Sequence, residues 1–251
     1  VTGTSKGPAR LTGDARTAAL MLGDDALVLS HRLAEWAGHA PVLEEDVALA
    51  NIALDLLGQA RTLLSLAGDE DELAYLREER QFRNIQLAEQ PNGDFAHTIA
   101  RQLYFSHAQE LLYTALSTAE RCPQPIRELA AKAVKETAYH RDHATEWTLR
   151  LGDGTEESHQ RMQRAVEALW RFTDELFAPV PGLPVAWDAL RSEWRARIEA
   201  TLSAATLTMP DSPTADAWTA GGGRQGIHTE SFGRMLAEMQ HLHRSHPGAK
   251  W

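Results

Sequence analysis

Between Phe95 and Ala119 the chain carries only two formal charges, Arg101 and Glu110, and large apolar side chains at every angle around a helical axis. A helix that is apolar all round has no face to give to water, so it belongs at the centre of a bundle. Ala and Leu dominate the other long segments, and β-branched residues occur singly instead of in alternating runs, which is the composition of helix and not of strand.

The breaks between segments set the topology. A first helix is expected from about Thr12 to Ala37, bent near Gly23-Asp24 and stopped by Gly38-His39-Ala40-Pro41. A second runs from about Glu44 to Ala67, with Glu44, Glu45 and Asp46 at the positive end of its dipole. A short helix around Asp71–Arg80 and a turn at Gln90-Pro91-Asn92-Gly93 lead to helix three, Phe95–Arg121. Cys122-Pro123-Gln124-Pro125 separates it from helix four, about Ile126–Leu151. Thr155 caps a fifth helix reaching Phe177, and Pro179, Pro181 and Pro184 mark a linker before a sixth, about Val185–Ala205. A Pro/Ser/Asp loop and Gly221-Gly222-Gly223 precede a last helix near Ser231–His243, and the tail from Arg244 reads as polar and frayed.

Helices one and two, and three and four, form two antiparallel long hairpins, so the expected fold is an all-α four-helix bundle with additional C-terminal helices. One domain is expected over 1–251: a core bundle at about 12–152, further helices at about 155–243 and a polar tail at 244–251.

Thirty-five acids against twenty-five Lys and Arg give a net charge of −10, which argues against nucleic acid as a partner. Cys122 is the single cysteine; it excludes a disulfide framework and a paired-thiolate zinc site, and suits a reducing cytoplasm. The N-terminus lacks the apolar stretch of a signal peptide and no run of about 18 uncharged apolar residues occurs, so a cytoplasmic, non-membrane protein is expected. Along helix two, Leu49, Ile52, Ala53, Leu56, Leu57, Ala60, Leu63 and Leu64 cover roughly 200° of the surface, twice what a surface helix needs. A second subunit is the expected cover.

Two long hairpins suit a carboxylate-bridged dimetal site, which takes one acid from each of two helices and Glu-x-x-His from each of the other two. Asp25 and Asp55 each lie fifteen residues from Ala40, and Glu110 and Glu136 each lie thirteen from Pro123. In Asp55-Leu56-Leu57-Gly58, however, glycine stands where the histidine is needed, while Glu136-Thr137-Ala138-Tyr139-His140 places its histidine at i+4, with His143 a turn further on. Half a site is conceivable; the other half lacks its ligands. If Asp25, Asp55, Glu110 and Glu136 face one another without metal, hydrogen bonds or an inward-reaching Arg61, Arg101 or Lys135 must relieve their repulsion.

Other motifs carry less. Glu156…His159 and Glu238…His241 are literal Glu-x-x-His strings off the four central helices and read as solvated faces. His31, Glu35 and His39 read as surface neighbours, and His97 and His107 as hydrogen-bonded histidines on opposite sides of helix three. Gly221-Gly222-Gly223-Arg224 lacks the Lys-Ser/Thr of a phosphate loop but has the donors to meet an anion. Trp36, Trp147, Trp170 and Trp194 read as core or interface anchors, and Cys122 has no histidine partner that would make it a nucleophile.

Several strings carry a family resemblance: Leu22-Gly23-Asp24-Asp25-Ala26-Leu27-Val28-Leu29-Ser30-His31-Arg32-Leu33, Pro41-Val42-Leu43-Glu44-Glu45-Asp46, and Asn51-Ile52-Ala53-Leu54-Asp55-Leu56-Leu57-Gly58-Gln59-Ala60-Arg61. Glu89-Gln90-Pro91-Asn92-Gly93-Asp94-Phe95-Ala96-His97-Thr98-Ile99, Arg150-Leu151-Gly152-Asp153-Gly154-Thr155-Glu156-Glu157-Ser158 and Gly226-Ile227-His228-Thr229-Glu230 extend it. Together they resemble the C-subunit family of the phenylacetyl-CoA ring 1,2-epoxidases, from about Met21 to His241. The resemblance implies a ferritin-like bundle that pairs with a homologous catalytic A-subunit holding the di-iron site and the CoA thioester. It also implies a reductase that passes electrons from NADPH through flavin and an iron–sulfur cluster. Within such a complex this chain is a structural subunit with no catalytic, cofactor-binding or metal-binding residue of its own, and Asp25, Asp55, Gly58, Glu110, Glu136 and His140 are vestigial positions. Two other readings stand beside it: an autonomous ferritin-like dimetal oxidoreductase with an atypical ligand set, and a helical scaffold unrelated to redox chemistry. Self-association is a further expectation.

Overall fold

Helix α1 spans Gly13–Ala34 and α2 spans Leu43–Ala67, joined through a turn where Gly38 takes a φ of +78°. The second hairpin is α3, Phe95–Thr118, and α4, Gln124–Gly152, and each hairpin's two helices lie against each other along their length. The computed structural model describes residues 10–211 and 221–249, and among these every regular element is helical. The expectations for the extreme N-terminus, most of the Pro/Ser/Asp loop and the last two residues fall outside the described residues.

Local chemistry sets the boundaries. The Asp94 side chain accepts from the His97 amide at 2.9 Å and opens α3, while Pro125 sits in the first turn of α4, where its missing N–H costs nothing. α1 stops at Ala34, three residues short of the expected Ala37, because the amides of Trp36 and Ala37 tighten onto the carbonyls of Leu33 and Ala34. It passes unbroken through Gly23-Asp24, and the missing side chain of Gly23 lets Leu63 and Leu64 of α2 approach.

α3 likewise ends at Thr118, short of the expected Arg121, as the Ala119 amide tightens onto Leu116 O, and two other expected helices are shorter or broken. α5 begins at Glu156 behind the Thr155 cap but ends at Trp170; tight i→i+3 bonds at Phe172 and Thr173 then lead into a separate turn, Asp174–Phe177. The helix expected over Asp71–Arg80 is instead a single wide turn, Glu72–Leu76, and a tight turn, Glu79–Gln81. The cause is Arg77 between them. It adopts an extended backbone and turns inward, its guanidinium bonded to Asp24 and lying 4.0 Å from the centre of the Phe82 ring.

α6 (Trp187–Ala204) packs on α3 and α4, and α7 (Glu230–Ser245) crosses the two broken turns. There the Gln240 amide donates to the carbonyls of Ala74 and Arg77, at 3.0 and 2.9 Å, supplying partners that an uninterrupted helix would have provided. Arg244 bonds the carbonyls of Tyr75 and Arg77 and the carboxylate of Glu78, so the chain is held at the point where fraying was expected.

α3 occupies the centre, with every residue from Thr98 to Gln109 buried. The Tyr104 hydroxyl donates to Val166 O at 2.9 Å, Trp194 Nε1 donates to Tyr104 O at 3.0 Å, and Trp170 and Trp194 stack with centroids 5.6 Å apart. One apolar cluster runs from Ala26 of α1 to Leu236 of α7. The wide apolar arc of α2 is covered from within: Leu49, Ile52, Ala53, Leu56, Ala60, Leu63 and Leu64 are all buried in this chain and Leu57 partly so, so the arc does not call for a second subunit. What α2 leaves outside is a different row, Leu43, Val47 and Leu54, 75%, 53% and 63% exposed. By length and composition α2 could cross a membrane, but 44% of its most apolar window is buried inside the bundle.

Candidate functional site

The dimetal positions singled out from the sequence lie on the four long helices, and each of the four acids has found a partner other than its expected neighbour. Asp25 of α1 is buried. Its Oδ1 accepts from the Ile85 amide at 2.8 Å and Arg224 Nη1 at 3.0 Å, and its Oδ2 accepts from Arg224 Nη2 at 2.7 Å. Burial pushes its pKa up to about 6, with the Arg224 charge and hydrogen bonds and the Ile85 N–H pulling the other way. Asp55 of α2 does not share this chamber: its carboxylate is 38% exposed and lies 3.0 Å from His140 Nε2 of α4. Burial holds His140 below the usual imidazole range, against the opposing pull of Asp55.

Glu136 Oε2 accepts from Gln59 Nε2 at 3.0 Å, and Gln59 Oε1 accepts from Gln109 Nε2 at 3.1 Å, which makes a relay from α4 through α2 to α3. Glu110 turns toward α6, bonded to Arg197 at 2.7 Å and paired with Arg141 at 3.2 Å. His143 lies 2.7 Å from Glu45. Gly58 is exposed, and a Cβ built there would meet nothing within 4 Å. Beside it α2 and α4 part into a groove of about 700 Å³, lined by Leu54, Thr62, Leu129, Lys132 and Glu136 among others.

A dimetal centre needs these acids to converge with open lone pairs, and this donor set does not fit one. A guanidinium already grips Asp25, two more hold Glu110, and Gly58 offers no donor atom. Among the described residues no group of three or more His, Cys, Asp or Glu is placed to hold a metal ion.

The cations expected to relieve the acids are engaged elsewhere. Arg61 pairs with Glu70 at 3.0 Å, Arg101 donates to Gln90 O and, at 2.6 Å, to Asn92 Oδ1, and Lys135 is exposed. Arg224 takes that role. Its glycine loop meets an internal anion: the amides of Gly222 and Arg224 donate to Glu175 Oε1 at 3.1 and 3.2 Å, while the Gln86 amide donates to Oε2 at 2.7 Å. The other motifs stay apart as well. His159 Nδ1 bonds Gly152 O at 2.8 Å, Glu238 and His241 are exposed, and Glu35 bonds Arg32 and Asn92. His107 lies 2.9 Å from the Thr145 hydroxyl, and burial with Arg141 and Arg197 nearby lowers its pKa to about 4. Burial raises the Cys122 thiol, which keeps it protonated and a poor nucleophile.

Two further buried ties were missed in the sequence. Asp24 receives Arg77, and the buried carboxylate of Glu89 receives Asn84 Nδ2 at 2.8 Å, the Thr229 amide and His228 Nδ1 at 2.7 Å. The signal for the first was Asp24-Asp25 itself, two adjacent acids inside an apolar stretch of α1.

Residues 2–251 match the family described as "Phenylacetic acid catabolic protein". The chain belongs to that family. Within it, the chain is 49% identical over 246 aligned residues to the C-subunit of the 1,2-phenylacetyl-CoA epoxidase of Escherichia coli (strain K12), covering 92% of this chain and 97% of that protein. The strings that carry the family resemblance sit at the ties just described. Leu22–Leu33 presents Asp24 and Asp25, Asn51–Arg61 forms one wall of the groove, and Gly226–Glu230 delivers His228 and Thr229 to Glu89.

Proposed function

We propose that this chain is the C-subunit of a phenylacetyl-CoA 1,2-epoxidase, the non-catalytic structural member of a multicomponent monooxygenase in aerobic phenylacetate degradation. The match to the E. coli C-subunit over nearly the full length of both proteins carries this reading. The internal partners taken by Asp25, Asp55, Glu110 and Glu136 support it, because each satisfied acid is one fewer ligand for iron.

In this reading the chain spans one domain, works in the cytoplasm and pairs with a catalytic A-subunit that holds the di-iron centre. A reductase supplies electrons from NADPH through flavin and an iron–sulfur cluster. The contribution of this chain is mechanical: its buried ion pairs and packed α3 make a rigid body against which a homologous bundle seats. The exposed row Leu43, Val47 and Leu54 on α2 is apolar surface available for that seating.

Co-expression with the catalytic partner tests the proposal. The expected result is co-purification, iron near two per catalytic partner with none assigned to this chain alone, and epoxidation that requires both chains. Stoichiometric iron in the isolated chain, or full turnover by the catalytic partner without it, would overturn it.

A further inference from the structure

Among the described residues a few buried side-chain polar atoms have no hydrogen-bond partner, and two of them, Arg224 Nε and Gln109 Oε1, belong to residues that line the same small cavity. Arg224 is 8% and Gln109 7% exposed. The space open to the centre of a water molecule is about 30 Å³, and one ordered water needs only about 10–15 Å³. Leu22 and Leu112 close part of the wall, while Asp25 and Tyr113 add polar groups to the rest.

We propose that this cavity binds an ordered water that accepts from Arg224 Nε and donates to Gln109 Oε1, joining the Asp25–Arg224 pair to the Gln109–Gln59–Glu136 relay. The chemistry is complementary. Arg224 Nε is a buried donor without an acceptor, Gln109 Oε1 keeps a lone pair free even with the Gln109 side chain hydrogen-bonded to Tyr113 on the cavity wall, and water supplies both roles. The water's remaining proton is free for the Asp25 carboxylate, whose two oxygens accept three bonds out of about four sites. One continuous polar path then runs from the buried carboxylate in α1 to Glu136 at the groove between α2 and α4. Other unpartnered buried atoms, such as Gln102 Oε1 and His143 Nδ1, belong to residues that do not line this cavity.

A crystal structure of the full chain at a resolution that shows solvent tests this directly. The expected result is a solvent peak within about 2.7–3.2 Å of both Arg224 Nε and Gln109 Oε1. A peak touching only one of them, no peak, or xenon entering the cavity under pressure would overturn it. In solution, oxygen-17 relaxation dispersion counts long-lived internal waters. Gln109→Met should show one fewer than the unsubstituted chain while keeping its helical circular dichroism, and an unchanged count in a folded variant also overturns the proposal.

Discussion

Arg224 holds Asp25 through both terminal guanidinium nitrogens, at 3.0 and 2.7 Å, across 199 positions of sequence, with both side chains 8% exposed. Removing one member of such a buried pair strands the other, at a cost of about 3–5 kcal/mol. Arg224→Met should therefore destabilise the chain by that order, and by more at higher pH. Without the guanidinium, burial and the Glu175 charge are opposed only by the Ile85 N–H, and the Asp25 pKa climbs beyond the present value of about 6. The folded variant then keeps its proton through a range where the unfolded chain, with a carboxylate near 4, has lost it. A raised acid pKa means stability lost as pH rises through that window. Urea unfolding at pH 5 and pH 8 checks this: the deficit relative to the unsubstituted chain should be larger at pH 8, and an equal deficit refutes it.

His107 gives the opposite slope. Its folded pKa is lowered to about 4, chiefly by burial, so between about 6.5 and 4 the unfolded chain takes up a proton that the folded chain refuses. Stability present above pH 6.5 is lost as pH falls through that window, by up to about 3 kcal/mol. His107→Gln keeps a polar partner for the Thr145 hydroxyl, 2.9 Å away in the parent, and removes the titration. Unfolding midpoints measured from pH 7 to pH 4.5 should fall less steeply in the variant. Parallel curves would contradict the assignment.

The central place of α3 and the pairing of the long helices were legible because both depend on local signals: two charges between Phe95 and Ala119, and glycine–proline breaks at Gly38 and Pro123. That Gly58 brings no side-chain donor to the wall of the groove was legible from one letter. The true partners of the acids were not. Hairpin symmetry set Asp25 opposite Asp55, but Asp25 is claimed by a loop 199 positions away and Asp55 by His140 on α4. The break at Arg77 was hidden for the same reason, since Asp24 lies 53 positions earlier. Periodicity reports which face a helix buries, and says nothing about which distant charge arrives to neutralise it.

Leu54 is 63% exposed beside Gly58 on the wall of the α2–α4 groove, in register with Leu43 and Val47. An exposed position of this kind contributes little to the folding of the chain alone, within about 0.5 kcal/mol. On the proposed reading it lies where the catalytic partner seats. Leu54→Glu should leave the melting temperature of the isolated chain within about 2 °C and reduce co-purification with the catalytic partner by about tenfold, one interfacial charge costing on the order of 1.4 kcal/mol. Undiminished co-purification excludes Leu54 from that interface.

Two glycines inside helices give a matched contrast. Gly58 has a helical backbone in α2 and open space where a Cβ would stand, so it costs helix stability without a packing return in this chain. Gly58→Ala should raise the stability of the isolated chain by about 0.5–1 kcal/mol. Gly152 closes α4 against the backbone carbonyl and side chain of Ala205, and a methyl there overlaps both. Its carbonyl also receives His159 Nδ1 at 2.8 Å and the Thr206 hydroxyl at 3.2 Å, so moving α4 aside disturbs the start of α5 as well. Gly152→Ala should lower stability by about 1–3 kcal/mol. The same substitution, in the interior of α2 and at the last residue of α4, is thus expected to carry opposite signs, read as opposite shifts of the urea midpoint at constant m value. Opposite signs would locate the difference in packing; two shifts of one sign would show that helix propensity, or a clash at Gly58 absent from this fold, governs both.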